Sequence, residues 1–306
     1  MSLAEPWDWN VAVFCRNERW SIVHCIESIA DASRDRRTLI TLIVNGSSDD
    51  SAALALEAAE RRGIPLAVWT IAHGDKANAI NRFFHALREP ARCYFFIDAY
   101  AKIGGRSLAV MEALLAERPD AVAATGLAAN GRTMVRDTER TMTEGSRLHG
   151  QLHALRPAFV DRLVARNLWL PIGLYYGDGL VGSMALHDLD PLHNAWEQKR
   201  IAHSPEATYE IPMLSMFRPR DLKRQFHRKV RQMRGRLENL AIRDIVYQLG
   251  YEGLPEYADD MVKGYLSRHG RPAVSLTDRP FQSLAIRQIE SARPPDPGRL
   301  EPVLLR

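Results

Sequence analysis

The sequence predicts an α/β protein with a mixed, mostly parallel sheet flanked by helices. Short apolar runs alternate with helical patterns through the first half of the chain, as in sheets whose strands are joined by helices. Polar clusters follow several of these runs, as expected where strands end at a common edge. The composition, with 46% hydrophobic and 25% charged residues in 306, is typical of a globular protein with one large core or two unequal ones.

The elements follow from the local patterns in chain order. The run at 39–44 favours a strand because it is rich in β-branched residues, and the Ala/Leu/Glu stretch at 51–62 favours a helix that Gly63 and Pro65 end. In the stretch 21–32, apolar residues repeat on one helical face. The predicted strands are 11–14, 39–44, 66–71, 94–97 and 121–125, and the predicted helices are 21–32, 51–62, about 76–87 and 107–117.

Composition also excludes several classes of protein. No run reaches the roughly 18 apolar residues of a transmembrane helix, and the first residues carry Glu5 and Asp8 where a signal peptide has a basic region and an apolar core. The three cysteines lack paired or metal-ligand spacing, which is typical of reduced thiols. We therefore expect a cytoplasmic protein. The net charge of +4 is modest but unevenly distributed.

Four polar clusters follow successive predicted strands. They are Arg16-Asn17-Glu18, Asn45-Gly46-Ser47-Ser48-Asp49, His73-Gly74-Asp75-Lys76 and Asp98-Ala99-Tyr100. Each alone also fits a helix cap or a solvated loop. Together they predict a ligand site, because ligands of open α/β sheets bind beyond the carboxyl ends of the strands.

The order of these motifs resembles the family 2 glycosyltransferases of the GT-A fold. The resemblance covers about residues 11–178 and includes the segments Gly150-Gln151-Leu152-His153-Ala154-Leu155-Arg156 and Leu170-Pro171-Ile172-Gly173, before Gly177-Asp178. It implies an inverting transfer of a sugar from a nucleotide-sugar, expected to be UDP-linked, to a saccharide or lipid-linked acceptor. It also implies a catalytic domain at 1–216, with a nucleotide-binding half at about 1–125 and an acceptor-side half at about 126–216.

The resemblance assigns donor contacts to the strand-end loops. Asp49 lies where the family binds uracil or ribose, although Ser48-Asp49 also fits a helix cap. Lys76 opens a helix after Gly74 and lacks the Gly-rich spacing of a Walker P-loop, which argues against a nucleotide triphosphatase. The donor-binding residues implied in these loops are Arg16, Asn17, Glu18, Asn45, Ser47, Asp49, Lys76, Asp98 and Tyr100.

Asp98 is the implied metal ligand. In the family, this acid begins an Asp-X-Asp pair that helps to bind a metal-bridged diphosphate, which implies Mg²⁺ or Mn²⁺. Here Tyr100 occupies the third position, and a phenol is a poor ligand for these ions. Either Asp98 with water and phosphate oxygens completes the metal shell, or cationic side chains replace it, or catalysis has been lost.

Asp178 is the candidate catalytic base. In the family, a carboxylate in this region takes the acceptor proton, and the flanking glycines allow close substrate approach. The alternative is a cap for a helix at 179–186. Asp188 and Asp190 are weaker candidates because Pro191 indicates a surface turn. The acceptor-side residues are His149, His153 and Arg156; the two histidines have i, i+4 spacing, but acceptor contact or ordinary packing is favoured over a metal site.

Beyond residue 217 the sequence predicts a basic amphipathic helical extension to 270, with Gly250 as a break. Three interpretations compete: a solvated basic face, attachment to an anionic membrane surface, or a partial match of Gln225 and Arg228 to the family's Gln-X-X-Arg-Trp segment. In the last, Arg224 or Arg228 supplies charge near the diphosphate, while Lys229 at the Trp position argues against processive synthesis. The helix has few aromatic residues, so no nucleic-acid partner is expected.

Residues 271–306 are rich in Pro and Arg, which predicts an extended tail. Two alternatives to a glycosyltransferase remain. One is a catalytically inactive nucleotide-sugar-binding or scaffold protein of the same fold. The other is a sugar nucleotidyltransferase, which would need a Gly-rich phosphate loop where the chain has Phe14-Cys15-Arg16-Asn17-Glu18.

Overall fold

The structure is a computed structural model that describes residues 5–131, 134–136, 138, 140, 147–212 and 219–305, and only the backbone of 219–225. The strands are β1 Trp7–Cys15, β2 Thr38–Asn45, β3 Leu66–Ile71, β4 Ala91–Asp98, β5 Lys102–Ile103, β6 Ala123–Ala128, β7 His153–Leu155, β8 Ile201–Glu210 and β9 Pro302–Leu304. The principal helices are α1 Ile22–Ala32, α2 Ser51–Arg62, α3 Lys76–Arg82, α4 Ser107–Glu117, α5 Pro157–Ala165, α6 Gly177–Leu186, α7 Pro219–Leu249, α8 Ala258–His269 and α9 Arg279–Ser291.

The described strands form one mixed sheet of nine strands in the order β5-β8-β6-β7-β4-β1-β2-β3-β9. β1 lies between β2 and β4, and β1 to β4 run parallel, so the loops that follow them meet at one edge. Antiparallel β7 lies between β4 and β6. The predicted fold class, a mixed and mostly parallel sheet flanked by helices, is confirmed.

Alternating side chains of β1 pack into cores on the two faces of the sheet. Val11 and Val13 face α1, α2 and α4, whereas Ala12 and Phe14 face a core that includes residues of α3, α5 and α6. The second core also receives apolar residues from α7, α8 and α9. Burial on both faces explains why the strands appear as nearly continuous apolar runs in the sequence.

Local signals explain where the helices begin and end. Asp75 caps α3, because its Oδ1 accepts a hydrogen bond of 3.0 Å from the Asn78 N–H. Gly63 ends α2 in the left-handed conformation, at φ 62°. The predicted helix at 76–87 divides into α3 and a π-helical turn, Phe83–Leu87.

The basic helix forms as a continuous α7 that ends at Gly250. Val230, Met233 and Leu237 are buried on one face, while the basic side chains Arg228, Lys229 and Arg231 are exposed. The tail after residue 271 is not the extended segment that its Pro and Arg content predicts, because Ala285, Ile286 and Ile289 are buried on α9. In the described part of the chain, no helix has the length and apolar character needed to cross a membrane.

Residues 297–305, here called the C-terminal strap, lie against β3 and α3. β9 pairs antiparallel with β3, with Trp69 opposite Leu304. The Asn78 amide Nδ2 donates to the Leu300 carbonyl at 2.9 Å, and the His73 N–H donates to the Arg299 carbonyl at 2.9 Å. The strap therefore fixes the loop and the first turn from which Lys76 projects.

Asn78→Ala is expected to lower the free energy of unfolding by about 1–3 kcal/mol, because it leaves the buried Leu300 carbonyl without its donor. Urea unfolding measures this loss. Gln288→Ala, at an exposed position of α9, is the control and should stay within about 0.5 kcal/mol of the parent protein. An equal effect of both substitutions would contradict a stabilising role for the strap contact.

Candidate functional site

The loops after β1 and β2 are joined by hydrogen bonds at the carboxyl edge of the sheet. The Asn17 N–H donates to Ser47 Oγ at 3.0 Å, and Asn17 Oδ1 accepts from the Ser48 N–H at 2.8 Å. Asn17 has φ 56°, a conformation that asparagine tolerates better than most residues. Asn45 is buried and donates through Nδ2 to the Cys15 carbonyl at 3.2 Å. The structure thus brings these predicted donor-binding residues together.

The carboxylate of Asp49 bonds to Ser51 at the start of α2 and to the loop that follows β1. It accepts from the N–H of Ser51 at 3.2 Å, from Ser51 Oγ at 2.6 Å and from the Arg19 N–H at 3.2 Å. Burial acts to raise the pKa of Asp49, but these bonds outweigh it and the pKa is lowered. Glu18 Oε2 accepts from Ser21 Oγ at 2.7 Å. Both acids therefore have a structural role in the loops, and a nucleotide contact is an additional proposal.

Glycines let the loop after β3 pack against the first two loops. A Cβ on Gly46, which has φ 66°, would lie 2.5 Å from the Gly74 Cα, so the two backbones touch. Arg16 Nη1 donates to the Gly74 carbonyl at 3.1 Å. This packing places Lys76, two residues after Gly74, beside the candidate nucleotide loops.

Lys76, Asp98 and Asp178, here called the ion triad, form the centre of the site. Lys76 Nζ lies 2.6 Å from Asp98 Oδ1 and 3.1 Å from Asp178 Oδ2. Asp98 ends β4, Lys76 begins α3, and Asp178 lies in the first turn of α6. One ammonium group therefore bridges the predicted metal ligand and the predicted base.

Tyr100 and Gln151 extend the ion triad on the Asp98 side. The Tyr100 hydroxyl donates to Asp98 Oδ2 at 2.9 Å, and Gln151 Nε2 donates to the Tyr100 oxygen at 2.8 Å. Burial, together with the Asp98 charge, raises the pKa of Tyr100 well above its ordinary value, so the phenol keeps its proton. Both oxygens of Asp98 thus accept from protein donors.

The two carboxylates of the ion triad differ electrostatically. Burial raises the pKa of Asp98 despite the nearby Lys76. Burial also acts to raise the pKa of Asp178, but the Lys76 ammonium outweighs it and the pKa is lowered. Among the described residues, none donates a hydrogen bond to the buried Asp178 Oδ1. Asp178 is therefore the more readily ionised acid, with one oxygen held by Lys76 and the other buried without a described donor.

The predicted acceptor-side residues separate into two groups. His153 is buried and stacks on Phe96, with ring centroids 4.8 Å apart, and burial lowers its pKa to about 4. His153 Nδ1 bonds to the His149 carbonyl at 3.1 Å, and this pair lies on a turn and a strand instead of a helix. The burial of both side chains, with His153 neutral, fits the packing alternative.

Arg156 is not brought together with the other candidates. β7 runs antiparallel to β4 with His153 opposite Phe96 and Leu155 opposite Tyr94, so Arg156 lies toward the amino end of β4, away from Asp98. Its guanidinium donates to backbone carbonyls, including that of Ala121 at 2.5 Å. The predicted acceptor role of Arg156 is therefore corrected to a structural role. A guanidinium group can donate to backbone carbonyls as well as to a ligand, and the sequence alone does not distinguish the two.

The basic helix approaches the site through the loop before Asp178. Arg231 lies over the Tyr175 ring at 5.7 Å, and a Cβ on Gly235 would lie 2.0 Å from the Tyr176 ring. Arg228 is exposed on α7, and no described contact joins it to the ion triad. The side chain of Arg224 lies outside the described residues.

Sequence reasoning missed a buried charge cluster, formed by Arg234, Glu238 and Asp259 and here called the Glu238 cluster. Glu238 is fully buried and accepts from Arg234 Nε at 2.7 Å and from the Tyr175 N–H at 2.9 Å. Arg234 Nη2 lies 2.8 Å from Asp259 Oδ1 and donates to the Gly173 carbonyl at 3.0 Å. The cluster therefore holds the loop that leads into Asp178. Its one sequence signal was the i, i+4 spacing of Arg234 and Glu238.

The donor chemistry of the site does not fit Mg²⁺ or Mn²⁺. Among the described residues, no group of three or more His, Cys, Asp or Glu side chains is placed to hold a metal ion. Both Asp98 oxygens are occupied by donors, and the Lys76 ammonium lies between the two carboxylates. These ions prefer several anionic or carbonyl oxygen ligands.

Gly150 is the second feature of the site that sequence reasoning missed. A Cβ at this position would lie 2.1 Å from Asp178 Oδ2 and 2.8 Å from Lys76 Nζ. Gly150→Ala is therefore expected to separate the ion pair and to lower the free energy of unfolding by about 1–3 kcal/mol, as overpacking does. Denaturant unfolding tests this against Gly105→Ala, where a Cβ meets no atom within 4 Å. Equal stability of the two variants would contradict the close approach.

Solved structures similar to this chain are glycosyltransferases. The mannosyltransferase PcManGT from Pyrobaculum calidifontis, in complex with GDP-Man and Mn²⁺, has a TM-score of 0.59 at 15% identity, over 94% of this chain and 85% of that one. S. aureus TarS 1-349 in complex with UDP-GlcNAc has a TM-score of 0.51 at 15% identity, over 92% and 80%. Glucosyl-3-phosphoglycerate synthase from Mycobacterium tuberculosis has a TM-score of 0.50 at 15% identity, over 76% and 78%.

These similarities confirm the predicted GT-A fold. At 15% identity they establish the fold alone. No protein-family model and no curated protein matches the sequence.

Proposed function

We propose that this protein is an inverting glycosyltransferase that moves a sugar from a nucleotide-sugar to an acceptor hydroxyl. The ion triad is the observation that carries the proposal. It combines a fixed cation with a carboxylate whose Oδ1 is buried and has no donor among the described residues. Its position at the carboxyl edge of a sheet with the GT-A fold supports a nucleotide-sugar ligand.

The donor lies along the loops that follow β1 to β4. Arg16, Asn17 and Asp49 face the nucleoside, and Lys76 faces the diphosphate. A uridine nucleotide is the first candidate for the donor, and the TarS structure contains UDP-GlcNAc. A guanosine nucleotide is the second candidate, because the PcManGT structure contains GDP-Man. Mg²⁺ or Mn²⁺, which the family resemblance implies, would have Asp98 as its one predicted ligand.

The transfer step is an in-line displacement. The Asp178 carboxylate accepts the proton of the acceptor hydroxyl while the hydroxyl oxygen bonds to the anomeric carbon. The bond from this carbon to the diphosphate oxygen breaks on the opposite face, which inverts the configuration. The electron pair leaves on the diphosphate, where the Lys76 ammonium stabilises the new negative charge.

The acceptor is proposed to be a saccharide or a lipid-linked saccharide used in polysaccharide synthesis. The support for a lipid-linked acceptor is the exposed basic face of α7, with Arg228, Lys229 and Arg231, which suits an anionic membrane surface. In this proposal the catalytic part is 1–216, and the basic helical extension at 217–270 contacts the inner membrane face from the cytoplasm.

A thermal-shift panel tests the proposal. UDP, GDP, UDP-GlcNAc and GDP-Man are compared with and without Mn²⁺, because a ligand at free concentration L that binds the folded state stabilises it by RT ln(1 + L/Kd) and so raises the apparent Tm. At least one nucleotide is expected to raise the Tm. The absence of a shift with every nucleotide and nucleotide-sugar contradicts the proposal.

Donor turnover distinguishes an enzyme from an inactive nucleotide-sugar-binding protein. The presence of Tyr100 in place of a second acid favours the inactive protein. Release of free nucleoside diphosphate from the nucleotide-sugar that gives the largest shift is the measurement. Binding without any release, with saccharide acceptors present, supports the inactive alternative.

A further inference from the structure

We infer that Lys76 takes the place of the divalent metal in this site, so that the protein binds a nucleoside diphosphate without Mg²⁺ or Mn²⁺. The inference rests on the proposed function. It departs from the metal-bridged diphosphate that the resemblance implies, and it assigns Lys76 the role of the cation that meets the departing phosphate.

The first support is the position of the ammonium group. Lys76 Nζ lies between the two carboxylates, at 2.6 Å from Asp98 and 3.1 Å from Asp178. A lysine ammonium has three N–H donors, of which these carboxylates take two. The third can donate to a phosphate oxygen. An ion of double charge would have to displace the ammonium to reach both acids.

The second support is the rigid mounting of Lys76. Its neighbour Asp75 caps α3 through Oδ1 and accepts from the Gly173 N–H through Oδ2. Asn78, two residues after Lys76 in the same helix, donates a hydrogen bond to the Leu300 carbonyl. The backbone that carries Lys76 is therefore held from two sides, and a fixed cation stabilises developing charge without reorganisation.

The third support is the replacement of the second acid by Tyr100. Its hydroxyl donates to Asp98 Oδ2, and Gln151 Nε2 holds the phenol oxygen in that orientation. With Lys76 on Oδ1, both Asp98 oxygens are occupied. A metal ligated by Asp98 would break at least one of these bonds and gain only a neutral phenol in return.

The fourth support is the lack of room beside the ion triad at Gly150. A single added carbon at this residue would lie 2.1 Å from Asp178 Oδ2 and 2.8 Å from Lys76 Nζ. The backbone therefore closes that side of the ion pair. Mg²⁺ in nucleotide sites keeps several bound waters, and a hydrated ion needs more space than this face provides.

Calorimetric titration with UDP and GDP, in EDTA and in Mn²⁺, is the direct test. For the nucleotide that binds, the Kd of the wild-type protein should differ by less than about threefold between the two conditions. Lys76→Met should weaken binding in EDTA by about tenfold or more, the loss expected for one charge-assisted hydrogen bond. Lys76→Arg should recover part of it.

Lys102→Met is the matched control, since Lys102 is an exposed lysine on β5, and its Kd should equal that of the wild type. Electron paramagnetic resonance of Mn²⁺ gives an independent measurement. The wild type should leave the free Mn²⁺ signal at the level given by the nucleotide without protein, whereas Tyr100→Asp, which restores a second acid, should reduce it below that level.

Two results overturn the inference alone: nucleotide binding by the wild type that requires Mn²⁺, or stoichiometric uptake of Mn²⁺ by its nucleotide complex. These wild-type measurements decide the question even if Lys76→Met does not fold. Failure of every nucleotide to bind in both conditions overturns the proposed function as well.

Discussion

Asp178→Asn is expected to reduce sugar transfer by about 10²–10⁴-fold while donor binding is retained, because general-base catalysis typically contributes this much. The amide keeps the size of the carboxylate but cannot take the acceptor proton. Lys76 holds Oδ2 of the acid, and Oδ1 is the oxygen to which no described residue donates. Turnover with saturating donor and acceptor measures the loss, and calorimetry with the nucleoside diphosphate measures binding.

Asp190→Asn is the matched control, since Asp190 is one of the two other acids weighed as a base. It follows the end of α6 at Leu186, and Leu186 lies about 12 Å along the helix axis from Asp178 at 1.5 Å per helical residue. Its carboxylate accepts from the N–H groups of Leu192 and His193, as in a surface turn. We expect unchanged turnover. Loss of transfer in this variant, with normal transfer in Asp178→Asn, would refute the assignment of the base.

Glu238→Ala is expected to lower the free energy of unfolding by about 3–5 kcal/mol, the usual cost of removing one partner from a buried ion pair. Glu238 is fully buried, pairs with Arg234 and accepts from the Tyr175 N–H. The substitution leaves that N–H unpaired and Arg234 with Asp259 as its remaining carboxylate. Urea unfolding measures the change.

Two further variants define the origin of this effect. Glu206→Ala removes an exposed partner of Arg106 and should cost no more than about 1 kcal/mol. Arg234→Met combined with Glu238→Leu and Asp259→Asn replaces the charges of the cluster by neutral groups and should recover part of the stability lost in Glu238→Ala. If Glu238→Ala costs no more than Glu206→Ala, the Glu238 cluster does not stabilise the loop before Asp178.

The sheet and the strand-end loops were predictable because their signals are local. The apolar run that ends at Asp98 and the glycine and cap residues around Asp75 determine a strand and a helix start within a few residues. Parallel strands then bring their following loops to one edge without further information. This is why Asn17, Ser47 and Lys76 were placed correctly in the same region.

The contacts that complete the site were not predictable because they join distant parts of the chain. Lys76 and Asp178 are 102 residues apart, and no local pattern indicates that one ammonium bridges two acids. Arg156 was assigned by its position in a motif, yet the antiparallel direction of β7 carries it to the other end of β4. In residues 271–306, the high content of proline and arginine predicted an extended tail, although buried apolar residues repeat at helical spacing within α9.

The C-terminal strap affects the order in which the parts of the site become fixed while the chain is being synthesised. Asn78 and Leu300 are 222 residues apart, and their hydrogen bond secures the helix that carries Lys76. During synthesis the early strands can pair before the strap has left the ribosome, since chains fold as they emerge. Lys76 is then fixed only after the strap has emerged, so under the proposed function a nascent chain with its central strands formed would bind a nucleotide more weakly than the finished chain.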